Sequence, residues 1–252
     1  MADFKDHFSR QSSEYGKFRP QYPAALYHYL AELCAARTLA WDCASGTGQA
    51  ARGLAGLFDQ VVATDASAAQ IENATGPENI IFRVAAAEQS GLERESVDLV
   101  TVAQALHWFD LDLFYREVRR TMKPGGILAV WSYNQLRVNN DIDAILDELN
   151  ADIVGPYWPA ERQMVRDGYR TIDFPFEEIY PPEAGPAFRM TASWRLEELM
   201  GYLATWSSVV RYQAATGRNP LAGIYPALAA AWGNEGETRR IHWPLTIRAG
   251  RL

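Results

Sequence analysis

Five short apolar runs alternate with segments of helical periodicity along the first half of the chain, and this alternation narrows the available folds more than any other feature. The runs are Thr38–Ala44 (TLAWDCA), Gln60–Thr64 (QVVAT), Ile80–Ala85 (IIFRVA), Val97–Ala103 (VDLVTVA) and Ile127–Ser132 (ILAVWS). Each is too short for a helix and lacks the polar–apolar alternation of a half-exposed strand. Strands of that kind are buried on both faces, so helices must cover them, and a βαβα order then implies a parallel sheet. The intervening segments comply. Ala24–Ala36 carries Leu26, Tyr29, Leu30 and Leu33 at helical spacing, with Pro23 suited to the first turn. Gln49–Phe58, Ala66–Ala74 and Asp110–Met122 also read as helices, and Lys123-Pro124-Gly125-Gly126 reads as a turn into the fifth strand.

The second half is less regular. Asp141–Asn150 predicts a helix, 151–175 is irregular and rich in Trp, Tyr and Pro, and Phe176–Tyr180 and Ala187–Thr191 suit strands. Trp194–Arg211 reads as one helix with Leu196, Leu199, Leu203 and Trp206 as its stripe, and Pro220–Trp232 as another. Arg240–Arg248 alternates as a final strand, in which Pro244 points to an edge or a bulge. No repeat or linker divides the 252 residues. The expected organisation is one domain, 1–252, with an N-terminal lead-in (1–36), a core (37–135), cap insertions with a late strand (136–235) and a terminal strand (236–252).

Acidic residues outnumber basic ones 31 to 24, a net charge of −7. That argues against a broad grip on nucleic acid, which needs Lys and Arg to displace counterions. Cys34 and Cys43 cannot make a disulfide scaffold, which suits a reducing compartment. With no apolar leader and no run of 18 apolar residues, the expectation is a soluble cytoplasmic protein without a membrane partner. The four histidines are scattered and the cysteines lack CxxC spacing, so no metal site is expected. There is neither a GxSxG elbow nor a GxxxxGK[ST] loop.

Asp42-Cys43-Ala44-Ser45-Gly46-Thr47-Gly48 closes the first strand. Glycines there let a backbone approach a ligand or simply make a tight turn, and both readings stand on Gly46 and Gly48 alone. Gly46, Gly48 and Ala51 also fit the G-x-G-x-x-A dinucleotide fingerprint. A carboxylate at Asp42 would repel a pyrophosphate and suits a ligand carrying an ammonium group. Asp65 ends the second strand nineteen residues after Gly46, where an acid can accept both hydroxyls of a ribose or cap the next helix. Ser67-Ala68-Ala69-Gln70 has capping-box spacing, which would leave Asp65 free for a ligand.

Together with Ala87-Glu88, Val97-Asp98-Leu99-Val100 and Lys123-Pro124-Gly125-Gly126, these residues resemble the class I S-adenosylmethionine-dependent methyltransferases. Tyr15–Pro23 (YGKFRPQYP), Gly46-Thr47-Gly48-Gln49 and Ala103–Asp110 (AQALHWFD) resemble the trans-aconitate methyltransferase-like group within them. The resemblance covers roughly residues 4–135 and the terminal strand. It implies a doubly wound, Rossmann-like α/β fold with a seven-stranded sheet, its last strand antiparallel, under a helical cap. It further implies that Ala44, Ser45, Gly46 and Gly48 hold the methionine part of the cofactor, that Asp65 binds the ribose and Ala66 borders the adenine, that the Ala87 backbone and Glu88 meet the adenine edge, and that Gln104 lies near the sulfonium. Ala44 stands where the family usually has glycine, and Ala86 where an acid is often found.

His107-Trp108 follows the fourth strand at the edge where such sheets bind ligands. His107 is either a general base or a hydrogen-bonding neighbour of the next helix, and Trp108 either lines a substrate pocket or fills core. Tyr15, Arg19 and Tyr22 form an aromatic-basic lead-in that can fold over the cofactor, with Arg19 clamping a carboxylate or making a surface ion pair. Trp131, Tyr133, Asn134, Trp206 and Arg211 are further pocket candidates. The expected function is methyl transfer from S-adenosylmethionine to a small organic molecule, with a carboxylic acid as one candidate. The alternatives are an NAD(P)-dependent oxidoreductase and a non-catalytic cofactor-binding module.

Overall fold

A computed structural model describes residues 20–179 and 188–252. The strands are β1 (Leu39–Cys43), β2 (Gln60–Asp65), β3 (Ile80–Val84), β4 (Val97–Ala103), β5 (Met122–Tyr133), β6 (Glu177–Ile179), β7 (Arg189–Trp194) and β8 (Arg239–Arg251). The helices are α1 (Ala24–Leu33), α2 (Gln49–Leu54), α3 (Ala68–Glu72), α4 (Leu111–Thr121), α5 (Asn140–Glu148), α6 (Arg162–Arg166), α7 (Leu196–Ala204), α8 (Ser207–Thr216) and α9 (Pro220–Trp232).

Seven strands lie in the order β3-β2-β1-β4-β5-β8-β6, and β7 pairs separately with β8. The first five are parallel, and β8 runs antiparallel to β5 and β6. This is the Rossmann-like sheet with one reversed strand that the sequence led us to expect. The chain order reverses between β1 and β4, so helices leave to opposite sides there and open a crevice at the strand ends.

Alternation along β5 shows why both faces are apolar. Ile127, Ala129, Trp131 and Tyr133 join one buried cluster with Leu26, Leu30 and Leu54. Leu128 and Val130 join the other, with Trp41, Val62, Val100, Phe114 and Val118. The first cluster continues without a break into α5, α7 and α9 through Ile142, Leu199 and Leu228. The cap is thus packed onto the sheet rather than hung from it.

Three local expectations need correction. Lys123-Pro124-Gly125-Gly126 lies inside β5: Val97 pairs with Met122 and Leu99 with Ile127, so the extra residues bulge within the pairing. Pro244 takes the last pair of the β7 ladder, opposite Arg189, and Leu245 begins the pairing with β5, so Pro244 is paired on one side only and its missing N–H falls where β8 changes partners. Trp194–Arg211 is not one helix. Trp194 ends β7, and the backbone turns extended at Trp206, separating α7 from α8. Finally, 151–175 contains the short helix α6.

At the opposite end of the sheet from the crevice, buried Asp98 ties three strands together. Its Oδ2 accepts the backbone N–H of Thr38 and Leu39 at 2.9 and 3.0 Å, and its Oδ1 accepts from Lys123 Nζ at 2.8 Å. Removing it strands two amides and an ammonium. Asp98→Ala is expected to lower the unfolding free energy by about 2–4 kcal/mol, read as a lower urea midpoint; an unchanged midpoint would show that the clasp adds nothing.

Candidate active site

The glycine loop leaves β1 through three left-handed residues, Ala44 (φ 53°), Gly46 (φ 55°) and Gly48 (φ 86°). At Gly48 glycine is needed twice over, because a Cβ would also lie 2.6 Å from the Phe82 ring. Ala44 tolerates its conformation at a cost of about 1–2 kcal/mol, so the departure from glycine there is strained as well as larger. Ser45 N donates to Thr64 O and Gly48 N to Ser45 O, both at 2.9 Å, which curls the loop over the ends of β1 and β2.

Two carboxylates hold this curl. Asp65 Oδ2 accepts the Gly46 N–H and Oδ1 the Ser67 N–H, each at 2.8 Å. Ser67 caps α3 through its own hydroxyl, as its spacing suggested. Asp65 is nevertheless not free: each of its oxygens accepts a backbone N–H. Asp42 lies wholly inside, with Oδ2 accepting the Ala51 N–H and Oδ1 the Thr101 hydroxyl, both at 2.9 Å. The expectation that it meets an ammonium group directly is therefore corrected. Its carboxyl clamps the start of α2 against β4, where Thr101 is its partner.

The rest of the crevice is also cross-tied. Gln104 follows β4 in a left-handed conformation (φ 59°) and bridges to β5, donating from Nε2 to Tyr133 O at 3.0 Å and accepting the Tyr133 N–H at 2.8 Å. Glu88 Oε1 accepts the Asp110 N–H at 3.2 Å, beside buried Ala87, and Ala66 is exposed next to Asp65. Trp131 is fully buried with Tyr22 edge-on at 5.5 Å, and its indole N–H has no partner among the described residues. Ser45 Oγ is likewise buried and has none among them. An unmet hydroxyl within a loop of left-handed residues is what a polar ligand seated there would satisfy, so the loop fits the cofactor the resemblance implies. Tyr15 and Arg19 lie outside the described residues.

His107 changes character. Its Nδ1 is 2.9 Å from the hydroxyl of Tyr169, a fully buried residue in a left-handed conformation (φ 59°), and Trp108 packs against its ring at 4.7 Å. Burial, aided by the positive charge of Arg162, brings its pKa down to about 4, so the ring is neutral near pH 7. Nothing in the irregular sequence around Tyr169 announced that contact.

Burial pushes the Asp42 carboxyl up to about 7, against the lowering effect of its hydrogen bonds. An acid whose folded pKa is raised favours the fold when protonated, so its contribution is present at low pH and is lost as pH rises from about 4 to about 7. Asp42→Asn keeps an acceptor for Ala51 and a donor toward Thr101. Between about pH 5 and about pH 8 the variant is expected to gain on the parent by about 2–3 kcal/mol in urea unfolding. A pH-independent difference would remove the raised carboxyl from the account.

Residues 41–130 match the family described as a methyltransferase domain. A Dictyostelium discoideum protein described as a methyltransferase is 34% identical over 243 residues, covering 94% of this chain and 91% of that protein. A solved structure described as a type II methyltransferase from Anaeromyxobacter dehalogenans is 44% identical, covers 92% of this chain and 97% of that one, and has a TM-score of 0.87. A Saccharomyces cerevisiae protein described as S-adenosylmethionine-dependent is 31% identical over 134 residues, 50% of this chain and 46% of its own length. The choice that Gly46, Gly48 and Ala51 left between two nucleotide cofactors is thereby made, and the chain belongs to the class I S-adenosylmethionine-dependent methyltransferases.

Proposed function

We propose that the protein methylates a small organic molecule, with carboxylic acids the favoured acceptors, and that the crevice at the ends of β1, β2 and β4 holds the cofactor. The observation that carries this reading is the 2.8 Å bond from Gly46 N–H to Asp65, which makes the glycine loop and the acid one continuous surface. Asp65, at the end of β2 beside the loop, is the residue that meets the ribose hydroxyls in this reading. The backbone of Ala44, Ser45, Gly46 and Gly48 surrounds the methionine part, with the Ser45 hydroxyl as a donor. Asp42 acts through the loop it clamps. Ala66, Ala87 and Glu88 border the adenine, and Gln104 fixes the spacing of β4 and β5 near the sulfur. Bound there, S-adenosylmethionine supplies a methyl group on a positively charged sulfur.

The protein's share is alignment and exclusion of water, which can recover up to about 7–11 kcal/mol of a barrier. Tyr22, Trp131, His107 and Trp108 are placed on the acceptor's side of this reading, with Tyr15 and Arg19 as a cover. A carboxylate needs no base because it is already nucleophilic at neutral pH. The packed cap favours a compact acceptor, and the net charge of −7 disfavours nucleic acid. The resemblance of Ala103–Asp110 to the trans-aconitate methyltransferase-like group points the same way. Among the described residues no helix is long and apolar enough to cross a membrane, and no cluster of residues could hold a metal ion. A cytoplasmic location belongs to the same proposal.

Asp65→Ala is expected to weaken S-adenosylmethionine binding by about tenfold or more in calorimetry. Equal affinity in parent and variant would take the ribose role from Asp65, and absence of binding by the parent would overturn the site. For His107, ring resonances are expected to show no titration between about pH 5 and about pH 8. A titration near the ordinary value would remove the buried, neutral ring from the account.

A further inference from the structure

The segment between β3 and β4 carries Ala87 and Glu88 and contains neither helix nor strand. Its start is tied to the end of β2, where the Ala85 N–H donates to Asp65 O at 3.0 Å. The Gln89 N–H then donates to Ala86 O at 3.1 Å, folding the chain into a turn around Ala87 and Glu88. Beyond that turn α4 grips the backbone. Buried Glu117 accepts at Oε1 both the Ser90 N–H, at 2.9 Å, and the Ser90 hydroxyl, at 2.5 Å. Arg120, one turn on, reaches the two Glu117 oxygens at 2.7 and 2.8 Å and the Leu92 carbonyl at 2.7 Å.

One helix therefore holds the segment at two points. Glu88 Oε1 accepts the N–H of Asp110, the residue that caps α4, and Ser90 meets Glu117 about two turns further along. The spacing of those anchors is set by a regular helix, while Glu88 and Ser90 are only one residue apart from adjacency in the chain. The bonds from Arg120 first, and from Ser90 next, hold the Glu117 carboxyl down to about 2 against the opposing effect of burial, so it is charged wherever the protein is studied. A buried ion pair is a poor source of stability, since well-packed apolar residues often serve as well or better. Its hydrogen bonds are directional, however, and they supply position to a length of backbone that has no ladder of its own.

We propose that Glu117 is a positioning residue for recognition of the cofactor's base, acting through Ser90 to hold Ala87 and Glu88 in register with the edge of adenine. This rests on the reading that Ala87 and Glu88 border the adenine. That edge presents an accepting ring nitrogen beside a donating amino group. Hypoxanthine presents the reverse, a hydrogen on the ring nitrogen beside a carbonyl. A backbone N–H only donates and a carboxylate only accepts, so the two bases are told apart by groups held accurately opposite them. Slackening the segment blunts that distinction before it abolishes binding, because Asp65 and the glycine loop hold the rest of the cofactor.

The test compares, by calorimetry on the whole protein, the affinities of S-adenosylhomocysteine and of S-inosylhomocysteine, its hypoxanthine counterpart. The parent is expected to prefer S-adenosylhomocysteine by about tenfold or more. Glu117→Gln, which keeps the size and loses the charge, is expected to reduce that preference about threefold or more, mainly by weakening S-adenosylhomocysteine. Ser90→Ala is expected to reduce it by a smaller factor, and it decides the matter if Glu117→Gln does not fold. Asp98→Ala removes another buried, ion-paired carboxylate, at the opposite end of the sheet, and is expected to leave the preference intact. An undiminished preference in the deciding variant, or an equal loss in Asp98→Ala, would overturn the role of Glu117. Equal binding of both ligands by the parent would remove the adenine contact of Ala87 and Glu88 and this role with it. Binding of neither would strike the cofactor site itself.

Discussion

The site depends on how a short backbone loop is kept curled in a conformation that costs energy. Three alternate positions, Ala44, Gly46 and Gly48, each take a left-handed backbone, and such a run would relax if nothing opposed it. Two acids oppose it from different sides. Asp65 holds an amide of the loop itself, and Asp42 holds the first turn of α2 just beyond it. Both acids sit at strand ends, so the sheet's parallel register sets their positions. The loop's shape is thus a consequence of strand pairing, transmitted through carboxylate-to-amide bonds.

This division of labour bears on what the sequence makes legible. The βαβ alternation identifies the sheet because burial on both faces forces continuous apolar runs, and Val97–Ala103 keeps its expected bounds in the structure. Asp42 and Asp65 stand out for the same reason, being acids at the ends of apolar strands. Which of them faces a ligand does not follow from spacing, because it depends on Thr101 and Ala51, contributed by another strand and a helix. Thr101 lies within a run read only as apolar. Tyr169 is not legible either, since its contact with His107 spans 62 residues and arises from a segment without periodicity.

The later half shows where pattern fails in another way. Leu196, Leu199 and Leu203 share one face of α7, but Trp206 caps a new helix, so an unbroken apolar stripe conceals a change of axis. Trp206 then meets the Trp158 ring at 5.6 Å, and the Trp158 indole donates to Asn150. Aromatic residues that look like core filler in the sequence here pack around polar groups.

The change of partners along β8 has a mechanical consequence. One continuous strand pairs with β7 over its first half and with β5 and β6 over its second, with Pro244 at the changeover. A hinge between cap and sheet would have to break one of those ladders or bend a strand anchored on both sides. Rocking of the cap as a rigid body against the sheet would therefore strain a strand held on both sides of its changeover.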